Sequence, residues 1–218
     1  MLRLRQHCFK AFIERDVSLH NFIFLPGASG STEFWQPVMQ ALPSHLQKSV
    51  VAYPSFGGYP DHAEVQSFID LQHYVLQKIQ QPSVIVAQSM GGIFAVQAAL
   101  QKPDLVQALV LVATSGGIDL SAFAVADWRE DYQLNFAVPD WFVTHHSDVS
   151  TQLEQVQCPV LLLWGDADPI SPVAVGEYLQ QKLSKAELVV IQYGQHDLAN
   201  VYADQVSKLI LDFLAKIQ

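Results

Sequence analysis

The sequence predicts an α/β protein, a mostly parallel β-sheet flanked by helices, on three observations. Apolar runs of strand length alternate along the chain with segments of helical spacing, the pattern of parallel strands joined by crossover helices. The later runs are nearly continuous Val, Leu and Ile, as strands covered on both faces require. Around Ser89 a strand, an abrupt turn and a helix follow one another directly.

Taken in order, strands are expected at 21–25, 49–53, 83–88, 109–113, 160–164 and 188–191, with Gly, Pro, Ser or Asp within a few residues of each end. The opening 3–13 stretch alternates imperfectly and fits an antiparallel hairpin or edge strand. Between strands, Val65, Phe68, Ile69, Val75, Leu76 and Ile79 fall mainly on one helical face, and Val201, Val206, Ile210, Phe213 and Leu214 do so near the C-terminus; such stripes face a core. The rhythm breaks at about 116–155, a stretch carrying Trp128, Tyr132, Phe136, Trp141, Phe142, His145 and His146. A structureless loop of that length is uncommon inside a compact domain, so a short helical cap is expected there. The whole chain, 1–218, then reads as one domain with this insertion.

Composition narrows the function. The 218 residues are 50% apolar and 15% charged, enough for a single core that buries roughly 70% of the unfolded chain's surface and too apolar for a disordered chain. Twelve Lys and Arg stand against 21 Asp and Glu, a net charge of -9; that sign repels phosphate backbones and anionic lipid, which argues against nucleic acid and membrane partners. Cys8 and Cys158 form neither a CxxC pair nor a disulfide framework, which fits a reducing compartment. Charged residues interrupt the first sixteen positions, unlike a signal peptide, and the longest apolar runs fall short of the ~20 residues that span a bilayer. A cytoplasmic protein is expected.

The chemistry centres on Ser83-Val-Ile-Val-Ala-Gln-Ser89-Met-Gly-Gly92 running into an apolar helix. Small residues at Ala87 and Gly91 flank Ser89 where a tight turn must bring strand and helix backbones together. Such a turn raises a serine hydroxyl above the sheet at the positive end of a helix; a plain N-cap is the other role open to Ser89.

With this turn the chain resembles the α/β-hydrolase superfamily from about Asn21 to its C-terminal helix, and three further segments match in the family's order. Phe24-Leu-Pro-Gly-Ala28 is similar to the loop whose residue after the Gly supplies an oxyanion-hole amide, with Pro26 where the family has His. The resemblance implies backbone donors at Ala28 and Met90. Leu163-Trp-Gly-Asp-Ala-Asp168-Pro-Ile-Ser-Pro resembles the family's acid segment and implies Asp168, with Asp166 as the nearby rival. Gly194-Gln-His196 resembles the family's Gly-x-His after the last strand. Ser89, Asp168 and His196 then follow the Ser, Asp, His chain order of this fold.

These residue types are what acyl transfer needs: an imidazole takes the serine proton, and a carboxylate holds the imidazole's tautomer and balances its charge. The resemblance implies a serine hydrolase for an ester, thioester or lactone of a small-molecule acyl substrate, with no metal and no organic cofactor. It leaves open C–C hydrolysis, elimination and acyl transfer by the same residues, and a ligand receptor without turnover. His145 and His146 stand without acidic or Cys partners at metal spacing and read as a solvated or cavity-lining pair. The loop Tyr53-Pro-Ser-Phe-Gly-Gly-Tyr-Pro60 lacks phosphate-cradle spacing and reads as a pocket rim. Trp128, Trp141 and Phe142 are the candidate substrate-contacting aromatics of the insertion.

Overall fold

The strands β1 (Asn21–Leu25), β2 (Gln47–Val50), β3 (Ser83–Gln88), β4 (Val106–Val112), β5 (Val160–Gly165) and β6 (Ala186–Ile191) form one sheet in the order β2-β1-β3-β4-β5-β6. Every neighbouring pair is parallel. The computed structural model describes residues 21–126, 132 and 139–217; the expected opening hairpin at 3–13, Cys8, Trp128 and Phe136 lie outside them.

Side chains alternate across the sheet with the period of two that a strand imposes. Ile23, Leu25, Ile85, Ala87, Leu109, Leu111, Leu162 and Trp164 face one core, which is closed by α2 (Phe68–Gln77), α3 (Met90–Gln101) and α5 (Val173–Lys182) through Leu71, Val75, Phe94, Ala95 and Leu179. Phe22, Phe24, Val84, Val86, Val110, Leu161 and Leu163 face the other, closed by α1 (Gln36–Ala41) and α6 (Ala203–Lys216) through Val38, Val206, Ile210, Phe213 and Leu214. Both faces of the central strands are therefore buried, and each fully buried Val, Leu or Ile contributes about 1.5–3 kcal/mol of transfer free energy. No helix among the described residues is long and apolar enough to cross a membrane.

The strand order sets the position of the site. The chain runs outward from β1 to β2 and then returns to lay β3 on the other side of β1. Connections at the carboxyl ends of β1 and β3 depart in opposite directions, which opens the crevice where ligands bind in doubly wound sheets. Leu25 and Ala87 are the last registered pair of β1 and β3, so the residues that follow them meet at that crevice.

Two expectations shift. The second strand lies at Gln47–Val50, not 49–53: its register with β1 ends at Val50, and Val51 and Tyr53 beyond it are buried in the core that Ile23 and Leu25 face. β2 is an edge, and its Lys48 bends back so that Nζ donates to the carbonyls of Met39, Leu42 and Pro43 at 2.8–3.1 Å, satisfying acceptors left open at the end of α1. Ile69 and Val201 are exposed rather than core-facing. Buried Leu71 and Gln72 occupy the inward face of α2 that Ile69 was expected to share.

Between β4 and β5 the described residues include the five-residue helix α4 (Asp140–Thr144) and a 3-10 helix at Ser150–Gln155. Within this stretch Val149 N–H donates to Gly117 O at 3.0 Å, and Ala126 N–H donates across to Pro169 O, in the loop after β5, at 2.8 Å.

Candidate active site

Ser89 sits between the end of β3 and the first turn of α3 with φ 52° and ψ −122°. This region favours glycine, and holding a serine there costs on the order of 1–3 kcal/mol. The surrounding packing enforces it. Ser89 N–H donates to Val112 O at 3.0 Å, and the Thr114 hydroxyl donates to Ser89 O. A Cβ on Gly91 would lie 2.6 Å from the carbonyl oxygens of both Leu25 and Pro26, so the closeness of α3 to the end of β1 requires glycine. Gly91→Ala is expected to cost about 1–3 kcal/mol through overpacking, a melting temperature roughly 2–10 °C lower for a chain of this size. Thermal unfolding measures it, and an unchanged midpoint would show that the loop yields freely.

His196 follows β6 and points back over β3. Its Nε2 is 3.0 Å from Ser89 Oγ, and its Nδ1 is 2.8 Å from Asp168 Oδ2. The Asp168 side chain is fully buried while that of His196 is 23% exposed, so the carboxylate is shielded and the imidazole can be reached. The other carboxylate oxygen, Oδ1, accepts the N–H groups of Ile170 at 2.8 Å and Ser171 at 3.1 Å. Ser171 Oγ in turn accepts Trp164 Nε1–H at 3.1 Å, which roots the acid's loop in the core.

The loops after β5 and β6 are held at backbone contact. A Cβ on Gly165 would lie 2.1 Å from Gly194 O, and Ala167 N–H donates to Gly194 O at 3.0 Å. Asp166, the rival acid, points elsewhere: its Oδ1 accepts Tyr193 N–H at 2.6 Å, and it is exposed. The structure thus brings Asp168, not Asp166, to His196.

Ala28 and Met90 both line the cavity above Ser89. Met90 opens α3, so its N–H has no partner within the helix. The loop bearing Ala28 is pinned from behind by Trp35 Nε1–H, which donates to Leu25 O at 3.1 Å, and by Tyr53 O–H, which donates to Pro26 O at 2.9 Å. Tyr53 is fully buried, and burial raises its pKa well above the ordinary phenol value, so the hydroxyl keeps the proton that this bond uses.

The cavity has a volume of about 680 Å³ and its wall includes Ser89 and His196 with Ile93, Ile118, Leu120, Phe123 and Phe142. Of the candidate aromatics, Phe142 lines it. Trp141 does not: successive residues of α4 point about 100° apart, and Trp141 packs against Phe56 at 5.8 Å between ring centroids. Trp128 lies outside the described residues. His145 and His146 both line the cavity; His145 stacks on Phe68 at 4.0 Å with 9° between planes, and burial, then His146, lowers its pKa.

The 53–60 loop is not the rim that its glycines suggest. Its Phe56 is fully buried and supports Phe142 from behind, 5.5 Å between centroids. Thr114, Tyr53 and the Trp164–Ser171 pair were missed by sequence reasoning, since each acts through contacts far away in the chain. Cys158 is no rival nucleophile, because burial pushes its thiol up to about 11 and the thiolate is the reactive form.

Comparison with known proteins agrees with this architecture. Residues 21–137 match the sequence family described as "alpha/beta hydrolase fold", and residues 131–218 match one described as "TAP-like protein". A putative carbamate hydrolase, RutD, of Serratia proteamaculans is 24% identical over 88% of this chain and 90% of its own length. A pimeloyl-[acyl-carrier protein] methyl ester esterase of Neisseria meningitidis is 25% identical over 86% of this chain and 74% of its own. Among solved structures, a thermophilic esterase from Thermogutta terrifontis superposes with a TM-score of 0.74 at 17% identity, covering 91% of this chain and 90% of that one. The first family match alone spans more than half of the sequence, from β1 through β4 with the Ser89 turn inside it, and by that match the chain belongs to the α/β-hydrolase fold family.

Proposed function

We propose that this protein is a serine hydrolase that cleaves an ester, thioester or lactone of a small molecule, with Ser89 as nucleophile, His196 as general base and Asp168 as the orienting acid. At the level of reaction class the chain is a hydrolase of ester-type bonds, in keeping with relatives named as carbamate hydrolase and methyl ester esterase. One observation carries the finer reading: an unbroken hydrogen-bonded line runs from Ser89 Oγ through His196 to buried Asp168 at the wall of a cavity large enough for a small ligand.

In the proposed cycle the Ser89 oxygen attacks the acyl carbon while His196 Nε2 takes its proton. The N–H groups of Ala28 and Met90 hold the oxyanion that forms, in fixed positions that need no reorganisation during the reaction. His196 then protonates the leaving oxygen or sulfur, and the acid or lactone-opened product is released after water attacks the acyl-enzyme. Asp168 stays charged and keeps Nδ1 as the protonated ring nitrogen. The described residues of the stretch 116–155, among them Ile118, Leu120, Phe123 and Phe142, act as the cap of the cavity over this centre.

Fluorophosphonate treatment tests the proposal. The expected result is a mass increase of one adduct per chain, located on Ser89 by peptide mapping. Ser115, Ser121, Ser147 and Ser171 also line the cavity, so an adduct on one of them would overturn the assignment.

Substrate size follows from the cavity. A volume of about 680 Å³ lies within the ~300–1,000 Å³ of ordinary small-molecule sites, so short and medium acyl esters should turn over faster than long-chain triglycerides. A p-nitrophenyl ester series from acetate to palmitate, with an emulsified triglyceride beside it, measures this. Faster turnover of the long chains would contradict it.

A further inference from the structure

Of the histidine pair in the insertion, His145 is built into the cavity in a way that the proposed cycle does not use. It directly follows α4, its ring lies flat on Phe68 at 4.0 Å between centroids and 9° between planes, and it lines the same cavity as Ser89 and His196. The stack continues into the core. Phe68 packs on Phe94 of α3 at 5.1 Å, and Phe94 meets the fully buried Tyr53 edge-on at 5.5 Å. An imidazole clamped by one face has its plane fixed, while its nitrogens, which lie in that plane, are left for hydrogen bonding. Among the described residues neither nitrogen of His145 has a hydrogen-bond partner, and neither is buried.

Other polar side chains on the same wall are engaged within the protein. Ser115 Oγ accepts Gly117 N–H at 3.1 Å, the Ser121 hydroxyl donates to Asp119 at 2.7 Å, and Ser171 Oγ accepts Trp164 Nε1–H at 3.1 Å. We infer that His145 is a specificity-determining residue that hydrogen-bonds an uncharged polar group, such as an amide, in the acyl portion of the substrate. This rests on the reading of the protein as a hydrolase with Ser89 as nucleophile.

Two observations make the recognised group uncharged. Burial, then His146, lowers the His145 pKa, so at neutral pH the ring is neutral and offers one N–H donor and one acceptor nitrogen. Among the described residues no Lys or Arg lines the cavity, whereas Asp119 and Asp148 do, so a carboxylate on the substrate would meet like charge and no cation.

The sheet places the group in the acyl portion. His145 is rooted through Phe68 and Phe94 to Tyr53, whose hydroxyl bonds the Pro26 carbonyl in the loop after β1. His196 is held by Asp168, in the loop after β5. Since β3, which leads into Ser89, lies between β1 and β4, the two histidines approach Ser89 from opposite sides. The leaving oxygen must lie at His196 Nε2 to receive its proton, and the acyl portion then extends toward His145.

A set of p-nitrophenyl esters tests this. Esters of N-acetylglycine, N-acetyl-β-alanine and N-acetyl-4-aminobutyrate, each beside the alkyl ester of equal chain length (pentanoate, hexanoate, heptanoate), move an amide along the acyl chain while the leaving group stays the same. His145→Phe keeps a ring on Phe68 and removes both nitrogens. On going from wild type to this variant, the ratio of kcat/KM for the amide ester to that for its alkyl partner is expected to fall about tenfold for at least one pair, the scale of a single hydrogen bond. Differences in intrinsic ester reactivity cancel, because the same pair is compared in both proteins. If His145→Phe does not fold, His145→Leu is read by the same ratio. The p-nitrophenyl monoester of glutaric acid, which carries a carboxylate, should not share the effect.

Ratios unchanged within about twofold for every pair would overturn the inference, as would equal losses on amide and alkyl esters, which would make His145 only part of the cavity wall. An effect confined to the glutarate ester would overturn it as well, since His145 would then act as a cation. Wild-type protein that neither takes fluorophosphonate nor hydrolyses any of these esters would instead overturn the hydrolase reading, and the His145 role with it, whereas a labelled and active wild type with unchanged ratios removes the His145 role alone.

Discussion

Ser89→Ala should lower ester turnover by about 10⁶, the scale seen when the nucleophile of a serine hydrolase is removed. The substitution takes away one oxygen, whose hydrogen-bond partner is His196 Nε2 at 3.0 Å. The alanine keeps the same Cβ in the same strained backbone, and the bonds to Val112 O and from Thr114 involve Ser89 main-chain atoms only. The fold should therefore be unaffected and the melting temperature nearly unchanged. Residual catalysis would come from the Ala28 and Met90 amides and from binding in the cavity. The measurement is initial-rate hydrolysis of p-nitrophenyl butyrate, with fluorophosphonate labelling of the same preparations. A variant that keeps a substantial part of wild-type turnover, or that still takes the label, would remove Ser89 from the mechanism.

Features encoded locally were legible in the sequence. The Ser89 turn needs a strand, a small residue on each side and a helix, and all of these lie side by side between Ser83 and Gln101. The parallel sheet was legible for a related reason, since strands buried on both faces have few residue types open to them. What failed depended on context. β2 is displaced because the edge strand is the largely polar Gln47-Lys-Ser-Val50, which leaves no apolar run, while the apolar Val51 and Tyr53 that follow are buried outside the strand. Trp141 and Phe142 are neighbours of equal hydrophobicity; only the rotation of α4 decides which one reaches the cavity.

The choice between the two acids of Gly165-Asp-Ala-Asp168 lies between these cases, and it sets the second large expected effect. Asp168→Asn should lower turnover by about 10⁴, as a comparable change does in other triads. The geometry gives the reason. Asp168 Oδ1 accepts two backbone N–H groups, from Ile170 and Ser171, while Oδ2 meets His196 Nδ1. An asparagine must turn its carbonyl oxygen to those two donors, which leaves its NH₂ facing Nδ1. That nitrogen then has to accept, so the ring proton moves to Nε2 and His196 can no longer take the proton of Ser89. Asp166→Asn meets no such conflict. Asp166 Oδ1 accepts a single N–H, from Tyr193, a bond that an asparagine carbonyl can keep, and the residue is exposed; a loss of about tenfold or less is expected for a turn carboxylate of this kind. Paired kinetics on the two variants, with matched thermal unfolding to show that both are folded, decide the matter. An inactive Asp166→Asn beside an active Asp168→Asn would move the orienting acid by two positions and leave the hydrogen bond between Asp168 and His196 without a catalytic role.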